Sequence, residues 1–194
     1  MKQSKIHLAL IIFSFLALTK TTAQVDVKIS PLNLILGNIA GAVEVGVSPN
    51  VGIEATLGHS WTKLIIDGDE DKSIESEVYK SKKPRFGINA RYYFNPNEKG
   101  LNNFYAALYT RTSNARLTRT SDNVTGNYKR IGAGFMVGYK LIARNEKLVF
   151  DFNLGFGRTL QNKISLSDSE PVNLNNIPFV NWDIPATLSI GYRF

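Results

Sequence analysis

The sequence contains no cysteine, so an exported form of the chain cannot be held together by disulfide bonds. It has one long apolar run, and no later segment approaches the roughly 20 apolar residues that a membrane-spanning helix requires. A chain that crosses a membrane without such helices has to do so as a closed β-barrel, because lipid satisfies no backbone hydrogen bonds. Stability must therefore come from a packed core or from closure of a sheet.

The N-terminal residues follow the pattern of a secretory signal peptide. Lys2 and Lys5 form a basic start, and the apolar run follows from Leu8 to Leu18. Ala23 supplies the small residue that precedes a cleavage site, so we expect the mature chain to begin at Gln24. A membrane anchor is the alternative, but the run is shorter than the roughly 20 residues that span a bilayer. With no cysteine at the site, lipid attachment is excluded.

The excess of one charge sign is also small. The full chain has a formal net charge of +7, from 23 basic and 16 acidic side chains. Removal of Lys2, Lys5 and Lys20 with the signal peptide leaves 20 basic side chains and a formal charge of +4. These charges are scattered rather than arranged in a stripe, so we expect no nucleic-acid partner.

Apolar residues recur at every second position through most of the mature chain, which is typical of strands with one apolar face. In the C-terminal segment these positions are Ala186, Leu188, Ile190, Tyr192 and Phe194. The predicted strands are 25–36, 42–47, 51–62, 85–94, 104–118, 131–141, 148–157 and 184–194. The predicted organisation is a signal peptide over residues 1–23 and one barrel over residues 24–194. The fold class is all-β, a roughly eight-stranded antiparallel up-and-down transmembrane β-barrel.

The links between these strands alternate in length. Short turns are predicted at 48–50, 95–103 and 144–146, and long polar loops at 66–83, 119–127 and 161–183. With the N-terminus in the periplasm, the short turns fall on the inner side and the long loops on the outer side, as in outer-membrane barrels. The first outer link, 37–41, is shorter than typical, and the slip of the apolar phase at Pro31 predicts a bulge or bend there.

The polarity of the two strand faces indicates which face meets lipid and which faces the lumen. The lumen of eight strands is narrow and filled by side chains, so either face could point inward by geometry. The apolar face is expected to meet lipid, because the other face fits such a lumen better than the bulky Phe150, Phe152, Leu154 and Phe156. The charges on the other face should then pair inside a filled lumen. They are Glu44, Glu54, Arg91, Lys140, Asp151 and Arg193. A soluble lipocalin-like barrel, with its apolar face inward, is the alternative fold.

Two further residue types fit a membrane barrel. Aromatic and histidine side chains near the strand ends suit the belts at the lipid headgroups. They are His59, Trp61, Tyr92, Tyr139 and Tyr192. Alternating Gly132, Gly134 and Gly138 form no phosphate loop and suit a crowded lumen face.

Several short motifs carry a resemblance to a known family. They are Glu54, Arg91-Tyr92-Tyr93-Phe94, Leu148-Val149-Phe150-Asp151 and Asn153-Leu154-Gly155. The mature chain resembles the small outer-membrane barrels of Gram-negative bacteria, the group that includes OmpA-type and OmpW-type barrels. More narrowly, it resembles an uncharacterised family of exported barrels with an R-Y-Y-F strand, which has no established activity. The resemblance implies an outer-membrane location, and the C-terminal strand is similar to the signal that barrel-assembly machinery reads.

Two charged stretches could bind ions at the outer rim. Asp67 to Asp71 alternates carboxylates as a calcium loop does, but Lys72 and Val78 replace the glycine and glutamate of an EF-hand. Weak binding of divalent ions that bridge lipopolysaccharide phosphates is the functional interpretation, and a solvated loop is favoured. The basic run Lys80 to Arg85 could meet the anionic groups of that lipid, and a charged solubilising loop is again favoured.

An enzyme is not expected. His59, Ser60 and Glu54 invite comparison with barrel lipid hydrolases, but adjacent strand residues point to opposite faces and cannot act as base and nucleophile. The only other histidine, His7, is lost with the signal peptide. We therefore predict no catalytic, cofactor-binding or metal-binding residue.

The expected function is that of a monomeric structural or surface-interaction barrel with extracellular loops. Its expected partners are outer-membrane lipid, lipopolysaccharide and the barrel-assembly machinery. The alternative is a narrow channel or binder of small hydrophobic molecules in the OmpW manner. A lipid-A enzyme and a soluble lipocalin-like binder are weaker alternatives.

Overall fold

The elements of the fold are almost all strands. The computed structural model describes residues 24–35, 37–66, 77–119, 125–166, 172–173 and 181–194. In chain order they form β1 (Val25–Ile29), α1 (Pro31–Ile35), β2 (Asn38–Ser48), β3 (Val51–Ile66), β4 (Glu77–Tyr93), β5 (Asn103–Arg119), β6 (Thr125–Ile142), β7 (Leu148–Leu166), β8 (Val172–Asn173), β9 (Trp182–Asp183) and β10 (Ala186–Arg193). Within these ranges no helix has the length and apolar character to cross a membrane.

Two predicted segments lie outside the described residues. The first is the signal peptide, residues 1–23, whose cleavage after Ala23 stays a prediction. The second is the acidic stretch Asp67 to Asp71, for which ion binding likewise stays a prediction.

The sheet closes on itself as an antiparallel barrel of eight strands. Each of β1 to β7 pairs with the next strand along the chain, and β7 pairs with β10. The seam is formed by β10 and β1, where Asp26 lies opposite Arg193 and Ile29 opposite Ile190. The two-residue strands β8 and β9 both pair with β7. The predicted up-and-down barrel is confirmed, and closure pairs the edges that an open sheet would expose.

The first link differs from its prediction. Residues 25–36 do not form one bent strand, because β1 ends at Ile29 and α1 begins at Pro31. Proline favours the first helical position, since its fixed φ suits the helix and its missing N–H has no intrahelical partner there. Gly37 ends the helix in the left-handed conformation, with φ of 72°. Residues 38–41, predicted as a connection, belong to β2.

Three predicted loops are shorter than expected. Residues 77–83 belong to β4, residues 125–127 to β6 and residues 161–166 to β7. The prediction followed the alternation of apolar residues, which stops before these strands end. Backbone pairing does not need that alternation, so the strands continue beyond it. We call this end of the barrel the loop end. The opposite end, which holds Gln24, Phe194 and the short links 49–50, 94–102 and 143–147, is the turn end.

Apolar side chains cover the outside of the barrel, and polar ones fill the inside. Phe150, Phe152 and Phe156 are 37%, 54% and 53% exposed, while Asp151 between them is 1% exposed. The outward apolar positions of β7 run from Leu148 to Phe156, roughly 20 Å along the barrel axis at the usual rise and tilt. The lipocalin-like alternative required the reverse polarity and is wrong.

Outward-facing aromatic rings form pairs near the turn end. The pairs are Tyr92–Phe94, Phe104–Tyr139 and Tyr192–Phe194, with ring centroids 5.6, 5.2 and 4.9 Å apart. Near the loop end, Phe156 and Trp182 pair at 4.6 Å. Tyr92, Tyr139 and Tyr192 are exposed and lie near the ends of their strands, and their place in a belt at the lipid headgroups stays a prediction. His59 is partly exposed, and the side chain of Trp61 is outside the described part of the chain.

Glycines on the lumen face make room for large inward side chains. Gly138 on β6 lies directly opposite Tyr105 on β5, and a Cβ at Gly138 would overlap the buried Tyr105 ring. Likewise, a Cβ at Gly132 would overlap the Asp183 carboxylate. The predicted lumen position of Gly132 and Gly138 is thus confirmed.

Gly138→Ala is expected to destabilise the barrel by about 1–3 kcal/mol, the usual cost of overpacking a filled interior. Urea unfolding in lipid vesicles measures this change. The matched control is Gly41→Ala, where the nearest atom to an added Cβ is a backbone oxygen at 3.4 Å. Equal stability of the two variants would contradict this account of the lumen.

Candidate functional site

The lumen near the turn end is filled by ionised side chains, which we call the plug. The plug consists of Asp26, Lys28, Glu44, Glu54, Arg91, Lys140, Asp151 and Arg193, each at most 8% exposed. Four carboxylates face four cationic groups, so the plug has no net formal charge. Buried ions are costly unless they are well paired, and the pairing here crosses the lumen.

Two carboxylates of the plug lie directly opposite each other on neighbouring strands. Glu44 on β2 is in register with Glu54 on β3, an arrangement that is repulsive by itself. Lys28 on β1 compensates this repulsion, because its Nζ lies 2.8 Å from Glu44 Oε2 and also contacts Glu54 Oε2. The same Nζ lies 2.6 Å from Asp151 Oδ2 on β7. One ammonium group therefore joins carboxylates from three strands.

Arg91 on β4 is the second bridging cation. Its Nη1 lies 3.1 Å from Glu44 Oε2 and 2.5 Å from Asp151 Oδ2. Its Nη2 contacts Glu54 Oε1, and its guanidinium lies 4.5 Å from the centroid of the Tyr105 ring. A planar guanidinium suits this position, because it can serve several carboxylates and an aromatic face at once.

A third group of ion pairs closes the seam of the barrel. Arg193 binds Asp26 through two bonds, Nε to Oδ1 at 2.6 Å and Nη2 to Oδ2 at 2.8 Å. Lys140 on β6 reaches across the lumen, with Nζ 2.9 Å from Asp26 Oδ2 and 3.0 Å from Glu44 Oε2. The first and last strands are thereby tied to each other and to the opposite wall.

Two buried tyrosines complete the plug. The Tyr93 hydroxyl donates to Glu44 Oε1 at 2.5 Å, and the Tyr105 hydroxyl donates to Asp151 Oδ1 at 2.8 Å. Both side chains have no exposed surface, and their ring centroids are 5.1 Å apart. Rings and ion pairs together obstruct the narrow lumen at this level.

The three clustered carboxylates could in principle ligate a metal ion. Oxygens of Glu44, Glu54 and Asp151 lie within 4.8 Å of one another, and carboxylate oxygens are the ligands of hard divalent cations. Lys28 Nζ, however, contacts all three groups. The ammonium group already supplies the positive charge that a metal would bring, so these carboxylates are counterions of the plug.

A chamber of about 120 Å³, lined by both polar and apolar side chains, lies between the plug and the loop end. Its walls include Ser30, Thr56, Met136, Asn153 and Ser189, and the hydroxyls of Ser30 and Ser189 are 2.9 Å apart. Arg85 and Arg111 also line this chamber, and they line the next cavity toward the loop end as well.

That next cavity, which we call the basic pocket, has a volume of about 100 Å³. Its charged lining consists of Lys83, Arg85, Arg111, Arg130 and Asp183. Arg111 binds Asp183 through Nε at 2.7 Å and through Nη2. Arg130 Nη2 donates to the Trp182 carbonyl at 2.6 Å and lies 3.2 Å from Asp183 Oδ1. Four cations thus surround one carboxylate.

The structure brings together all six charges that were predicted to face the lumen. Two further charged residues of the plug, Asp26 and Lys28, were not predicted. The same pattern indicates them, because they alternate with the apolar Val25, Val27 and Ile29. The sequence provided no comparable signal for the basic pocket, because its single acid, Asp183, falls in a predicted loop.

The basic run Lys80 to Arg85 differs from its prediction as a rim loop. It belongs to β4, and Lys83 and Arg85 line the pocket inside the barrel. A strand alternates its faces, so only every second residue of a basic run can meet the outer surface. Ser60 is buried and its neighbour His59 is partly exposed, while Glu54 lies in the plug.

Comparison with known proteins agrees with this architecture. A protein family described as "Protein of unknown function (DUF3575)" matches residues 8–173 of the 194. The chain belongs to this family. No curated protein sequence matches this member of the family.

Three solved structures are similar to this family member. A major outer membrane protein from Thermus thermophilus is 15% identical, with a TM-score of 0.50 over 90% of this chain and 100% of the other. Acinetobacter baumannii CarO2 is 14% identical, with a TM-score of 0.47 over 89% and 98% of the two chains. Acinetobacter baumannii CarO is 13% identical, with a TM-score of 0.44 over 89% and 96%. The chain has the fold of an outer-membrane β-barrel.

Proposed function

We propose that the protein is a non-conducting, non-enzymatic barrel of the outer membrane whose loop end interacts with molecules outside the cell. The observation that carries this proposal is the plug, which fills the lumen with eight paired charges and two tyrosines. A conducting barrel needs a continuous water-filled pore, whereas this plug places buried ion pairs across the lumen.

The outward apolar surface supports residence in a membrane. A soluble protein seldom exposes such a continuous band, because large apolar patches on a surface promote association. The short links, Gln24 and Phe194 lie at one end, which we assign to the periplasm, and the longer links lie at the other, which we assign to the cell exterior.

The proposed partners follow from this placement. Outer-membrane lipid covers the apolar band, and lipopolysaccharide surrounds the loop end. The C-terminal strand, which ends with outward-facing Tyr192 and Phe194, engages the barrel-assembly machinery. The closed ring needs no second copy to pair its edge strands, which supports a monomer.

The OmpW-type alternative is less well supported by the described lumen. A binder of small hydrophobic molecules needs an apolar pocket of several hundred Å³, but the plug is charged and the chamber beyond it measures only about 120 Å³. A narrow channel would require the ion pairs of the plug to part.

Heat modification and conductance together test the proposed function. Protein from isolated outer membranes should migrate faster unboiled than boiled on a gel, because a closed barrel resists detergent. The same protein, reconstituted in a planar bilayer, should give no stepwise current. Recovery as a soluble periplasmic protein would overturn the membrane assignment, and regular single-channel steps would overturn the non-conducting one.

A further inference from the structure

The basic pocket has an excess of positive charge that the described residues leave uncompensated. Asp183 offers the only carboxylate among the residues that line it, against the cations of Lys83, Arg85, Arg111 and Arg130. The local formal charge is therefore +3. The plug, by contrast, is balanced, so the excess belongs to the loop end of the lumen.

Asp183 is already used by two of the four cations. Its oxygens accept from Arg111 and lie 3.2 Å from Arg130 Nη2. Within the described ranges, Lys83 and Arg85 form no ion pair, and Lys83 Nζ lies 5.0 Å from the centroid of the Tyr128 ring. Holding like charges together in a partly enclosed space is unfavourable unless an anion joins them.

Unused hydrogen-bond donors lie beside these cations. Arg130 Nε is buried without a partner among the described residues. Asn162, in register with Arg130 on the next strand, has no exposed surface, and neither its Nδ2 nor its Oδ1 finds a partner there. A buried amide left unpaired costs free energy, so the arrangement is suited to a bound polar group.

The pocket can be reached and is of the right size. The side chains of Arg111 and Arg130 are 37% and 26% exposed, which leaves part of each guanidinium open to an incoming ligand. A cavity of about 100 Å³ accepts a compact group rather than a large molecule.

We propose that the basic pocket binds the phosphate group of a soluble ligand that enters from the loop end. A phosphate monoester carries a charge of about −1.5 to −2 near neutral pH, which offsets the excess better than a single carboxylate does. Arginine forks and a lysine ammonium are the side chains that bind phosphate oxygens. The pocket lies inside the barrel, so the headgroups of surrounding lipopolysaccharide meet the outer wall instead.

The site gives the proposed surface interaction a ligand class and rests on the proposed orientation for its access from outside. Inorganic phosphate is the probe, titrated calorimetrically into the folded barrel in non-ionic detergent at low salt. The variant Lys83→Met/Arg85→Met removes two cations that hold no ion pair of the described structure. We expect it to weaken phosphate binding at least tenfold while heat modification stays unchanged.

The matched control is Lys129→Met/Arg158→Met. These two residues are exposed and lie on the outward faces of β6 and β7, so the control makes the same change of charge outside the lumen. It should bind phosphate as the wild type does. No binding by the wild type, or equal loss in both double variants, would overturn the proposal.

A second titration separates the two sources of phosphate. Lipopolysaccharide in mixed micelles should bind equally well to the wild type and to Lys83→Met/Arg85→Met, because its phosphates meet the outer wall. A loss of lipopolysaccharide binding in that variant alone would assign the pocket to lipid and overturn the soluble ligand. Failure of phosphate binding would leave the gel and conductance results as they are, so the two proposals can fail separately.

Discussion

Arg91→Met is expected to be among the most damaging single substitutions in the barrel. It leaves Glu44, Glu54 and Asp151 with Lys28 as their shared bridging cation, in a region that is at most 3% exposed. Removing one partner of a buried ion pair typically costs about 3–5 kcal/mol. Here one guanidinium serves three carboxylates, so we expect at least that loss in the free energy of unfolding. Urea titration in lipid vesicles, followed by tryptophan fluorescence, measures it.

The control for this substitution is Arg158→Met. Arg158 is exposed on the same barrel, one position along β7 from the inward-facing Gly157. Its loss should change the free energy of unfolding by less than about 0.5 kcal/mol, as is usual for surface substitutions. Similar unfolding midpoints for the two variants would show that the plug does not stabilise the barrel.

Removing side-chain volume from the plug is expected to convert a non-conducting barrel into one that conducts ions. In Glu54→Ser/Arg91→Ser, one anion and one cation are removed together, so the remaining plug stays neutral and the lumen gains space. Removing both partners costs less than removing one, because no buried charge is left unpaired. We expect discrete current steps in planar bilayers, where the wild type shows none.

A second double variant separates volume from charge. Glu54→Gln/Arg91→Met removes the same two charges but keeps most of the side-chain volume, and it should remain closed. If the serine variant folds, as judged by heat modification, and passes no current, the plug is not what closes the lumen. If both variants conduct equally, charge rather than volume is the barrier.

The inward charges could be predicted from the sequence because alternation is a local property. Arg91 and Asp151 each stand between apolar neighbours, and period two assigns them to the face opposite those neighbours. Their partners could not be predicted in the same way. Lys28 bonds to Asp151, which is 123 residues away, and Asp26 bonds to Arg193, which is 167 residues away. Barrel closure brings these pairs together.

The basic pocket was not predictable because its elements break the periodic pattern. The pairing of β6 with β7 shifts register between Ile131 and Gly132, so Asn162 faces inward although the phase set by Asp151 would turn it outward. Asp183 is held by β9, a strand of two residues that pairs with β7 at Gly157. Neither a register shift nor so short a strand has a signal in the spacing of apolar residues.

The helix α1 was missed for a related reason. Leu32 and Leu34 follow Pro31 at alternate positions, as they would in a strand. Five residues are too few to distinguish a period of 3.6 from a period of 2. The stronger signal was proline at the first helical position together with glycine just after the last turn.

The neutrality of the plug restricts how the barrel can change in size. The β2–β3 hairpin contributes two negative charges through Glu44 and Glu54, while β4–β5 contributes one positive charge through Arg91. The β6–β7 hairpin is neutral, since Lys140 and Asp151 cancel. Bacterial outer-membrane barrels have even numbers of strands, so a change in size involves whole hairpins. Loss of β2–β3 here would leave the plug with two more buried cations than carboxylates. Among these three hairpins, which are joined at the turn end, only β6–β7 could be copied or deleted without a compensating substitution elsewhere in the plug.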